Sequence, residues 1–219
     1  MEQSKDNVKT VLLDIVMMLF IMLFPHFGHL PMFIYPFVVL GVVWAYLKYR
    51  KQSFSDIGFR FKAISARSLL VGGLCGLAYA AFVYWLLSPL LSHLGFAPAN
   101  LKDFDFLRHN LNSYIVLVLL ACLLVIPYEE IVFRGLIFSR LMEWFKNSSR
   151  RFLLSALVTS ILFALYHYQE GAGAVVQILI FALLQMLLLK YAKGNLWYVI
   201  FYHIVYDIFM LTAIYRGYM

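Results

Sequence analysis

Apolar residues fall into seven blocks along this chain, at 10–24, 30–47, 68–91, 111–126, 152–166, 172–191 and 196–215. Several approach the roughly 20 residues that a helix needs to cross a hydrocarbon core of about 30 Å. The fourth block reads on as a helix past Glu129 to about Lys146, because "IVFRGLIFSRLMEWFK" keeps apolar residues at helical spacing. The pattern predicts an all-α protein, a polytopic bundle of about seven transmembrane helices. The first block resembles a signal peptide, but it ends in "PHFGHL" without a small-x-small cleavage pattern, so it reads as a retained first helix.

Composition agrees with the pattern. Of 219 residues, 63% are hydrophobic and 13% charged, whereas a soluble domain is nearer half apolar and a quarter charged. The net charge of +7 invites a nucleic-acid reading, which topology makes unnecessary. With the N-terminus placed in the cytoplasm, 14 Lys and Arg fall in cytoplasmic segments and 3 outside, and Arg134 lies within a span. Lys5 and Lys9 are among the 14; Lys102, Arg108 and Arg216 are the three. Such asymmetry is the positive-inside signature of a multi-pass membrane protein with its N-terminus in and its C-terminus out. Cys75 and Cys122 lie in apolar runs and read as small buried hydrophobes. The stretch "FAPANLKDFDFLRHN", 96–110, is the most polar external segment, either an interfacial helix or a lid.

Ionisable residues inside spans are costly, and they are the natural candidates for a functional site. They are Glu129, Glu130 and Arg134 on the fourth helix, His167 ending the fifth, and His203 and Asp207 on the seventh, with Asp14 near the start of the first. Glu130 and Arg134 stand four apart and share a face, so they can pair. Glu129, about 100° around the helix, has no local basic partner and is the candidate general base. His203 and Asp207 also share a face, as a tautomer-fixing pair or as two groups aimed at a third. His167 follows Phe163 by four, so the two line one stripe. Glu129 lies 11 residues from Arg140 and His203 lies 10 from Lys193, which puts them at similar depths of about 16 and 15 Å. His167, 16 residues from Arg151 and about 24 Å deep, does not fit that level. Asp14 reads as a residue near the cytoplasmic helix end, and Glu170 in "HYQEGAG" as a loop acid made notable by its closeness to His167.

The ordered motifs "EEIVFR", "FALYH" and "HIVYD" resemble those of the CAAX-protease and bacteriocin-processing (CPBP/Abi) family, the type II CAAX prenyl endopeptidase-like membrane proteins. The resemblance covers about 113–212. It divides the chain into three N-terminal helices with their loops, 1–112, and core helices, 113–219. It implies an intramembrane endopeptidase whose motif residues surround a cavity open to the cytoplasmic side. Carried over, Glu129 would activate water with help from His167, while Glu130 and Arg134 would hold the helix and the first glutamate. His203 and residue 207 would stabilise the oxyanion, with Phe163 in support. The best-understood relatives carry asparagine at the last position, and aspartate is also seen in the wider family; an ionised Asp207 cannot donate to an oxyanion, so it is either protonated or orients His203.

No cofactor is expected. Zinc held by Glu129, His167 and His203 is the alternative, although the chain has no HExxH. Expected partners are the bilayer of a bacterial cytoplasmic membrane and a substrate that is a peptide precursor, a prenylated tail or another membrane protein. Nucleic acid is not expected. Competing functions are a non-catalytic scaffold or regulator of a partner such as a sensor kinase, a bacteriocin self-immunity protein, and a proton-coupled transporter. The last is disfavoured by the absence of an inverted repeat.

Overall fold

The computed structural model describes residues 2–28 and 30–218, with side chains described from residue 8. Lys5, counted among the cytoplasmic basic residues, lies outside the described side chains. The described residues form helices and no strand. Seven long helices stand on the seven apolar blocks: α1 (Glu2–Phe27), α2 (Tyr35–Tyr49), α3 (Ala66–His93), α4 (Leu111–Trp144), α5 (Arg151–Tyr166), α6 (Ala172–Tyr191) and α7 (Trp197–Tyr215). Five are long and apolar enough to cross a membrane; α2 and α5 are shorter apolar helices. At 34 residues, α4 is about 50 Å long and exceeds the hydrocarbon thickness.

Local chemistry explains the boundaries. Ser65 caps α3 by accepting from the Ser68 amide at 3.1 Å, and Asn110 caps α4 by accepting from Ser113 at 3.1 Å. The second block begins at residue 30, but α2 starts only at Tyr35, with Pro36 in its first turn. Proline disfavours helical backbone in the residue before it, and Pro31 and Pro36 confine the start. Pro89 and Pro127 lie inside long helices. Each follows a widened π-helical turn, 83–87 and 121–125. A proline ring crowds the carbonyl four residues back, and these turns contain those carbonyls. A third widened stretch, 131–137, follows Glu130.

Two ends of the bundle can be told apart by what binds there. At one end Asp14 is buried and accepts from Tyr46 at 2.5 Å, Arg50 at 2.7 Å and Trp144 at 2.9 Å. The sequence placed Asp14 simply near a helix end; its actual part is to tie α1, α2 and α4 together. The 50–65 loop folds over this same end. Trp197 donates to the Arg60 carbonyl at 2.8 Å, Asn195 to Ala63 at 2.9 Å, and the Leu196 amide to Gly58 at 3.3 Å. At the other end, the Asn100 amide donates to the Glu170 carbonyl at 2.8 Å and the His109 amide to Tyr215 at 3.0 Å. His26 packs its ring on Tyr166 and Tyr168. The segment read as an interfacial helix or lid is a loop with one short 3₁₀ turn, Lys102–Leu107, lying across this end.

Between the ends, α3 and α7 pack through glycine. A Cβ on Gly72 would lie 2.3 Å from the Tyr198 carbonyl oxygen, and one on Gly76 2.2 Å from that of Tyr202. In lipid, where apolar burial drives little association, such close backbone contact is what joins helices. It fixes α7, and with it His203.

Candidate active site

α4, α5 and α7 bring the three motifs together around one cavity of about 500 Å³. Glu129, Phe163, His167, His203 and Asp207 all line it; Glu130 and Arg134 do not. The two adjacent glutamates therefore have different surroundings, as their angular separation on a helix requires.

Glu130 is fully buried behind the cavity wall. Its Oε1 lies 2.7 Å from His203 Nδ1 and accepts from Gln185 Nε2 at 3.0 Å, while Oε2 lies 3.4 Å from Arg134 Nε. The expected pair of Glu130 and Arg134 is present, but it is one edge of a four-residue knot spanning α4, α6 and α7. The Arg134 guanidinium lies over the Phe163 ring at 3.8 Å. This cation–π contact gives a buried cation a second compensating neighbour.

Glu129 reaches the cavity. Its nearest basic group is His203 Nε2, 3.9 Å from Oε2. The expectation that Glu129 lacks a local basic partner holds along its own helix; across the bundle it faces His203. The same Nε2 lies 3.5 Å from Asp207 Oδ1. His203 thus sits among three carboxylates, its Nδ1 toward Glu130 and its Nε2 toward the cavity.

His167 follows the last residue of α5, where helix carbonyls lack amide partners. Its Nδ1 lies 2.9 Å from the Phe163 carbonyl oxygen. A carbonyl only accepts, so Nδ1 carries the proton and Nε2 of the neutral ring is left with a free lone pair. The depth misfit of His167 has a simple basis. It stands one turn beyond Phe163, toward the end that carries Glu170, and meets the other motifs from the cavity side.

Among the described residues no group of three or more His, Cys, Asp or Glu side chains is placed to hold a metal ion, and that includes Glu129, His167 and His203.

Four contributors went unrecognised in the sequence. Gln185, buried in α6, donates to Glu130 and to the Val199 carbonyl at 3.2 Å. Gln177 lines the cavity and donates to Ser88 at 3.1 Å. Both amides are visible in the run "VVQILIFALLQMLLL", but a search confined to ionisable groups passes over them. Tyr35 and Tyr166 also line the cavity, hidden among 35 Tyr and Phe. Glu170, half-buried at the cavity's edge, has its carboxyl pushed up to about 7, by burial first and then by the charges of Asp207 and Asp103.

The helices make this a multi-pass membrane protein. No curated protein and no solved structure matches the chain. Residues 111–209, which hold all three motifs and every buried ionisable group around the cavity, match the family model of the Rce1-like type II CAAX prenyl endopeptidases, a family of proteases.

Proposed function

We propose that the chain is an intramembrane endopeptidase of the bacterial cytoplasmic membrane, and that Glu129 is its general base. One observation carries the reading: the only glutamate of the pair facing the cavity stands opposite two histidines from two other helices, while its neighbour is tied into the wall.

In this reading a water between Glu129 and the scissile carbonyl gives a proton to the carboxylate as its oxygen adds to the carbonyl carbon. The Nε2 lone pair of His167 accepts a hydrogen bond from the same water and orients it. Negative charge gathers on the former carbonyl oxygen, where His203 Nε2–H donates to it. That proton is on Nε2 in two arrangements, an imidazolium beside ionised Glu130 or a neutral ring with the proton resting on Glu130. Asp207, 3.5 Å from Nε2, orients the ring rather than serving as a second donor. The C–N bond then breaks as protonated Glu129 returns its proton to the leaving amine. Each such proton transfer contributes about 100- to 10,000-fold. This reading needs no metal, so a chelator should leave turnover unchanged.

Comparative peptidomics of cells carrying the wild-type chain or Glu129→Gln tests the reading and identifies substrate. Termini present only with the wild type support it. Identical peptidomes, with the phenotype of the wild type retained by Glu129→Gln, favour the non-catalytic scaffold or self-immunity function.

A further inference from the structure

The cavity has a mouth at one end of the bundle and a floor at the other. Its wall includes Pro25 and His26 from the end of α1, Tyr35 from the start of α2, Asn100 and Asp103 from the α3–α4 loop, and Glu170 from the α5–α6 turn. The 50–65, 145–150 and 192–196 connections contribute nothing to it. Along α7 the accessible fraction of the side chain rises from 8% at His203 to 29% at Asp207, toward the Tyr215 end. On the opposite side, Leu136, Ile137, Leu196, Val199 and Ile200 are each at most 1% exposed. That apolar layer separates the site from the 50–65 loop, and Gly58 clamps the loop against the 192–196 turn, where a Cβ would lie 2.3 Å from the Gly194 carbonyl oxygen.

The charges identify the faces. Lys5 aside, the other 13 basic residues of the positive-inside count belong to the floor end, at Lys9 and on helix ends and connections 48–67, 140–151 and 190–193. The mouth end carries three, Lys102, Arg108 and Arg216. Basic connections stay in the cytoplasm. A cytoplasmic N-terminus and a cavity open to the cytoplasm, both expected from the sequence, therefore cannot hold together in this fold.

We infer that the site opens to the extracytoplasmic face and takes peptide segments presented there: secreted precursors, or the outer ends of membrane proteins, rather than cytosolic tails. This rests on the protease reading for its substrate, though the geometry of the mouth does not. Water reaches Glu129 past Asp207 and Glu170, while the layer from Leu136 to Ile200 closes the cytoplasmic route.

Cysteine accessibility tests it. In the full chain with Cys75 and Cys122 replaced by Ala, single reporters are placed at the mouth (Asn100→Cys, or Gln169→Cys should the first not label even in lysed cells) and at the floor (Ser149→Cys). All three positions are exposed. A membrane-impermeant maleimide is applied to intact and to permeabilised cells. The mouth reporter is expected to label in intact cells to the level reached after permeabilisation, and Ser149→Cys only after permeabilisation. Labelling of Ser149→Cys in intact cells, or of the mouth reporter only after lysis, overturns the inference. The two readings fail separately. Inverted labelling with cleavage still dependent on Glu129 removes the extracytoplasmic access alone, whereas correct labelling with no such cleavage removes the protease alone.

Discussion

Each carboxylate here acts according to what surrounds it. Glu130 has an imidazole, an amide and a guanidinium around it, and removing any of these leaves a buried charge short of compensation. Gln185→Leu should lower the unfolding free energy in detergent by about 1–3 kcal/mol, the cost of an unmet buried polar group. Arg134→Ala should cost about 3–5 kcal/mol, because it breaks a buried ion pair by removing one partner. Denaturant titrations would check both, and a Gln185→Leu protein as stable as wild type would show that the amide is not needed. Glu170 gives a pH-dependent prediction. Its carboxyl lies raised, at about 7, so between the ordinary carboxylate range and 7 the folded state holds a proton that the unfolded state has released. Stability therefore falls as pH rises through that window. Glu170→Gln, which cannot ionise, should melt higher than wild type at pH 8 and no higher below about pH 4.5. The i, i+4 pair of Glu130 and Arg134 was legible in spacing, as was the isolation of Glu129 on its own helix. The His203–Glu130 bond was not, since sequence spacing carries no information about contacts between helices.

Helices were legible as apolar blocks, and their ends were not. α1 begins at Glu2 rather than near Thr10 because its polar start is also compatible with a helix. α2 begins late because apolar content cannot tell a helix from a proline-bounded connection. The widened turns before Pro89 and Pro127 were likewise invisible to a periodicity argument that assumes 3.6 residues per turn. The α3–α7 seam allows a direct test. Gly76→Ala should force the helices apart beside His203, cost about 1–3 kcal/mol as overpacking does, and reduce turnover. Gly73→Ala, whose Cβ would meet only Val205 Cγ2 at 3.4 Å, should leave both nearly unchanged. Equal effects from the two would contradict a close α3–α7 approach.

At the scale of the whole molecule, both halves of the chain build the cavity. The motifs lie within 111–209, yet Pro25, His26, Tyr35 and Asn100 line the same space. The motif order on three helices was readable from the chain. The direction of the mouth was not, because it depends on which loops fold over which end. The central claim is the division of labour between adjacent glutamates, and the most direct measurement sets them side by side. Glu129→Gln and Glu130→Gln would be purified in detergent, with turnover measured on a quenched peptide spanning a mapped cleavage site and thermal midpoints recorded. Glu129→Gln should lose at least about 100-fold in turnover while melting as wild type does, and Glu130→Gln should melt lower. Wild-type turnover from Glu129→Gln would contradict the account.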